Sequence, residues 1–145
     1  MPHADPPARP PVWRSRLLSA EAACWLLIFR VCLKLLPFRL IARRLGPLRP
    51  PTPAPSPQPL PATARAVGNA VQRAAGRLPV DMVCLPQALA AHAMLRRRGL
   101  SPLLHLSARP GRTEGMMAHA WVSFSGGIVI GGGCPADQIE LGRFG

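Results

Sequence analysis

The 145 residues include 19 prolines, 48% hydrophobic side chains, 5% aromatics and no tyrosine, a composition that allows one domain with an aliphatic core. The net charge of +12 is concentrated early: residues 1–49 carry nine basic and two acidic side chains, +7, whereas residues 81–145 net only +2. With so few aromatics, and no zinc, helix-turn-helix or RNA-binding signature, the chain does not read as a nucleic-acid binder; the early positive charge calls instead for an acidic peptide or protein, or an anionic membrane surface.

Residues 1–18 form a Pro-rich N-terminus expected to be disordered. Residues 19–46 read as an apolar, basic helical segment, with Ser19 at the N-cap and Glu21 in the first turn. Pro37 interrupts it, leaving a second piece with Arg39, Arg43 and Arg44 before Gly46. Its apolar stretch of about 15 residues is shorter than the roughly 20 needed to span a bilayer. It therefore reads as a core helix, with membrane-surface contact or a partner groove as the alternatives. Eight of the fifteen residues in 47–61 are proline, so this linker is neither helix nor central strand.

Residues 62–145 hold the expected core. Val67, Ala70, Val71, Ala74 and Leu78 recur at helical spacing over 62–78, and Leu85, Ala88, Leu89, Ala91 and Leu95 do so from Cys84 to Arg98, with Gly99 as C-cap. The period then changes. Strands are expected at 103–109, 118–124 and 128–130, the last two joined by Ser125-Gly126-Gly127. Residues after Gly131 carry little pattern. Helices followed by an antiparallel sheet define an α+β fold.

Cys24, Cys32, Cys84 and Cys134 lack metal-ligand spacing, and no secretion signal precedes them; they read as reduced thiols in a cytoplasmic protein. Cys84 opens a helix, where unpaired amides and the helix dipole favour a negatively charged sulfur. Pro86 suits that first turn. His119 follows in a strand between two alanines, on the same face as Trp121. A thiol and an imidazole within reach of one another would make a nucleophile and its base. Spacing alone is equally consistent with a buried thiol and a core histidine.

The run CLPQALAAHAMLRRRGL (84–100), followed by LLHLSAR (103–109) and AHAWVSFSGGIVIGG (118–132), resembles the lasso-peptide biosynthesis B2 peptidases, as does CWLLIFRVCLKLLPFRLIARRLG (24–46). The resemblance implies a papain/transglutaminase-like core with N-terminal helices packed on a small antiparallel sheet. It implies Cys84 as nucleophile and His119 as base, removing the leader from a ribosomally made precursor peptide. The partners it implies are that precursor, a separate small leader-recognition protein and a macrolactam cyclase. No motif for a cofactor is present, and any ATP requirement would rest with a partner.

One member departs from the family pattern. Such proteins carry an Asp on the strand after the His; here that strand is Ile128-Val129-Ile130, followed by glycines. Asp137 is the candidate replacement, and a backbone carbonyl or an amide side chain the alternative. His92 and His105 read as structural, and Arg96, Arg97 and Arg98 as a solvated helix end. Two other classes stay open: a different Cys-His acyl-transfer enzyme, and a non-catalytic basic adaptor.

Overall fold

Apolar side chains at three- and four-residue spacing set the four helices of the computed structural model, which describes residues 11–53, 56, 58–110 and 116–145, with backbone alone at 110, 116 and 117. The helices are α1 (Val12–Leu35), α2 (Phe38–Leu45), α3 (Ala62–Arg77) and α4 (Cys84–Arg97). The strands are β1 (Leu48–Arg49), β2 (Leu103–Pro110), β3 (Met116–Phe124), β4 (Gly127–Ile130) and β5 (Ile139–Phe144). They form one antiparallel sheet in the order β1-β5-β2-β3-β4. The expected α+β arrangement is present.

The first helix is longer than its cap signals implied. It starts at Val12, inside the stretch expected to be disordered, while residues 1–10 lie outside the described residues. Neither Pro nor Gly occurs from Val12 to Leu36, so nothing breaks the helix at Ser19. Ser19 Oγ instead accepts a bond from Arg73 of α3 at 3.4 Å. Glu21 pairs with Arg98, the C-cap of α4, at 2.6 Å, and the Arg98 guanidinium holds its carboxyl below the usual range. Both polar residues serve tertiary contacts. Pro37 ends α1 as expected, because its ring cannot continue the helix.

The 19–46 segment is an integral part of the core. Ala22, Leu26, Ile41 and Leu45 are buried in one cluster with Val67 and Val71 of α3, Leu89 and Leu95 of α4, and Leu104, Ala120 and Val122 of the sheet. The Pro-rich segment then supplies β1, which pairs with β5 at one edge of the sheet. At the opposite edge, Gln58 and Leu60 crowd Gly127. In between, Arg143 donates to the Thr52 carbonyl at 2.7 Å. The segment's described residues form a strap that touches both edges of the sheet.

The punctuation is local. Gly99 at φ 76° closes α4: its N–H bonds Arg96 O, and Leu100 N–H bonds Leu95 O, the paired bonds of a Schellman turn. Ser125 and Gly126, both at positive φ, make the two-residue hairpin between β3 and β4. Gly68 is a contact glycine on α3, where a Cβ would run into the Val129 carbonyl oxygen of β4. Gly68→Ala gains about 1 kcal/mol of helix propensity but meets backbone that cannot yield, an overpacking cost of about 2–3 kcal/mol. We expect a lower urea midpoint for Gly68→Ala, whereas Gly76→Ala, with open space around it, should raise the midpoint.

Candidate active site

Chain direction sets the position of the candidate residues. Five residues, Arg98 to Pro102, turn the chain from the end of α4 into β2, which returns antiparallel to the helix; β3 reverses again and so runs alongside α4. The helix packs on both strands. The first residues of α4 and of β3 therefore lie at the same end of the domain. Cys84 stands at that end, and His119 is the fourth residue of β3 from it.

Cys84 is the first residue of α4 and half-buried against the core. No side chain caps this helix: Val83, in extended conformation, occupies the N-cap. Pro86 in the first turn has no N–H to leave unpaired, and Gln87 Nε2 donates to Met82 O at 2.5 Å, tying down the approach to the helix. The other three thiols are also free, with Cys24 and Cys134 exposed.

His119 pairs in register with Ser107 of β2. Its Nε2 lies 2.7 Å from the Gly131 carbonyl oxygen. A carbonyl only accepts, so Nε2 must carry the hydrogen, and in the neutral ring Nδ1 is the bare, basic nitrogen. The position the Asp was expected to fill is thus taken by main chain. Gly131, Gly132 and Gly133 all have positive φ. They turn the chain out of β4 and send it across the ends of β3 and β2 to reach β5. Along that crossing Gln138 accepts a bond from Ser107 Oγ at 2.7 Å, and Asp137 pairs with Arg109 at 2.7 Å. The Asp137 carboxylate is committed to Arg109.

Alternation places His119 and Trp121 on the face that carries His105 and Ser107, opposite Ala120 and Val122, which join the helix-covered core. On that face three rings lie nearly parallel. His105 is 4.9 Å from Trp121, and Trp121 is 5.9 Å from His119, centroid to centroid. His105 is itself held at both nitrogens, Nδ1 to Glu140 and Nε2 to Ser123 Oγ, each at 2.7 Å. Burial lowers its pKa despite the carboxylate. The sequence places Ser123 on this face by alternation, but nothing in it singles out Glu140 or Gly131. Among the described residues no hydrogen bond joins Cys84 to His119.

Of the three arginines read as a solvated helix end, Arg98 instead pairs with Glu21 and donates to Met94 O. Arg96 and Arg97 are exposed at the helix end, with Arg97 over the Trp25 ring. Asp81 is exposed, and its carbonyl accepts from Arg30. Among the described residues no group of three or more His, Cys, Asp or Glu could hold a metal ion, and no helix is long and apolar enough to cross a membrane.

His92, two turns beyond Cys84 on α4, is buried with Nε2 unpartnered. Burial first, then Arg96, lowers its pKa from 6.5 to about 4. The folded state thus keeps His92 neutral while the unfolded chain takes up a proton, so its contribution to stability is complete above about pH 6.5 and lost toward pH 4, on the order of 3 kcal/mol in all. Urea denaturation of the wild type and His92→Leu should show a difference in stability that shifts in favour of the variant as pH falls from 7 to 4.5. A difference independent of pH would show that His92 does not titrate in this way.

Comparison with known proteins gives one match. The model of the transglutaminase-like superfamily matches residues 23–140, from within α1 to β5. No curated protein and no solved structure matches the chain.

Proposed function

We propose that this chain, which belongs to the transglutaminase-like superfamily, is a cysteine peptidase that removes the leader from a ribosomally made precursor peptide, with Cys84 as nucleophile and His119 as base. The observation that carries the reading is the tautomer of His119: with Nε2–H spent on the Gly131 carbonyl, Nδ1 is left as a base at the end of the domain where Cys84 opens α4. The finer claim, that the peptide is a lasso precursor, rests on the resemblance of residues 84–132 and 24–46 alone.

The chemistry balances with these groups and water. Nδ1 of His119 takes the Cys84 thiol proton as sulfur attacks the carbonyl at the leader–core junction. The Cys84 amide, at the start of a helix and without a backbone partner among the described residues, would donate to the oxyanion. The imidazolium then protonates the departing core amine, and the leader remains as a thioester. Water, deprotonated by His119, releases it as a carboxylate. The free core amine is the group a macrolactam cyclase would join to a side-chain carboxylate. The imidazole must first approach the thiol, a closing step of the kind that substrate binding supplies. Leader presentation falls to a separate recognition protein.

A second reading is favoured by one observation. His119 and Ala120 lie on opposite faces, and it is Ala120 that meets the helix-covered core; a non-catalytic adaptor would be content with that arrangement.

Two measurements separate the readings. Limited iodoacetamide at neutral pH should label Cys84 before Cys24 and Cys134, although those two are more exposed; labelling in order of exposure would mean that the thiol is not activated. With a lasso precursor peptide as substrate and a leader-recognition protein present, Cys84→Ala should abolish leader removal and His119→Ala lower it by about 10²–10⁴-fold. Undiminished cleavage by His119→Ala would remove it from the mechanism, and cleavage of unrelated amides only would point to another acyl-transfer enzyme.

A further inference from the structure

A helix that is hydrophobic all round is normally enclosed. α1 is enclosed on one side only. Ala22 and Leu26 are buried by α3 and α4, yet Trp13, Leu17, Leu27, Ile28, Val31 and Leu35 are all exposed, Leu17 at 62% and Leu35 at 76%. At 3.6 residues per turn these six fall within an arc of about 100°, opposite Leu26, along a helix about 36 Å long. Single exposed leucines need no explanation, but a continuous apolar stripe does. Among the described residues no segment covers it.

The margins of the stripe are cationic. Helical spacing puts Arg16 and Lys34 beside one edge of the arc and Arg14 beside the other, and Arg14 lies over the Trp13 ring, 5.3 Å from its centroid. Arg39, Arg43 and Arg44 of α2 are exposed as well and add to the positive charge of this N-terminal part. Glu21 is the sole acid in residues 11–53, and Arg98 engages it.

From this we infer that the outer face of α1 docks flat on an anionic lipid bilayer, its apolar stripe in the acyl boundary and its arginines among the headgroups. Amphipathic helices lie in membrane interfaces through this combination of apolar area and basic flanks, and each basic residue near an anionic leaflet adds attraction. A second copy of the chain fits the same stripe less well, because pairing two such faces would set arginine margins against each other on molecules of net charge +12. The contact leaves Cys84 and His119 untouched and is independent of the peptidase reading.

The test is flotation of the full chain with vesicles of phosphatidylcholine alone or mixed with phosphatidylserine, using Cys84→Ala as a catalytically silent reference. The chain should float with the anionic vesicles and much less with the neutral ones. The double variant Leu17→Glu/Val31→Glu, changed only at exposed positions, should lose binding by roughly tenfold or more, and Arg16→Glu/Lys34→Glu should lose a comparable factor. Circular dichroism of both variants would confirm that the helices persist. Flotation unaffected by the apolar variant, or no flotation with either vesicle, would overturn the inference. A dimer in sedimentation that dissociates on Leu17→Glu/Val31→Glu, without vesicle binding, would assign the face to a second copy. Retention only by an acidic protein partner would overturn the lipid assignment in the same way.

Discussion

Helix α4 has no free side over its middle turns. Ala88, Leu89, Ala90, Ala91, His92, Met94 and Leu95 are all buried, so the helix must be enclosed from every direction. α1 and α3 cover one part of its circumference and β2, β3 and β4 the other. Enclosure on this scale cannot come from a sheet alone, and this is why the N-terminal helices are part of the domain. It also explains the alanines. Small side chains let neighbouring backbones approach closely, and Gly68 of α3 meets β4 in the same manner. Only the two ends of α4 remain open. One is closed by the Gly99 turn and the Arg98–Glu21 pair; at the other stands Cys84.

Much of this was legible in the amino-acid pattern. The apolar period of 62–78 and 84–98, the Gly99 cap and the turn at Ser125-Gly126-Gly127 each follow from local chemistry, and each is found, with Gly127 already the first residue of β4. The starting point of α1 was misread because Ser19 and Glu21 look like capping residues, whereas their partners are Arg73 and Arg98, more than fifty residues away. Strand β5 was invisible for a different reason. Ile139 is 74% exposed and Leu141 59%, while Arg143 is buried beside the core residue Phe144. With exposed apolar residues, a buried arginine and a register shift against β2, the strand offers no clean alternation to read. Its identity comes from what lies around it: Thr52 O and Glu140 for the guanidinium, and His105 for the carboxylate.

The Pro-rich segment shows how composition and position combine. Proline has no N–H to donate, so the strap offers mainly acceptors. Arginine is a donor-only side chain, and Arg143 reaches the strap's Thr52 carbonyl from the sheet face opposite the helix-covered core. A segment unable to enter the middle of a sheet can still be held against its end by contacts of this kind. Those contacts also fix where the chain re-enters the domain at α3.

The acceptor for His119 is a peptide oxygen, and this changes what heredity can act on at the site. A carboxylate in that position would be a single codon, lost by a single substitution and easily recognised among relatives. The Gly131 carbonyl exists whatever residue occupies the position; what has to be inherited is the turn that aims it. At φ 95°, with the Trp121 Cβ and the Ala120 carbonyl each less than 3 Å from where a Cβ would stand, glycine is what keeps that turn. Change around His119 should therefore be traced in glycines rather than in acids.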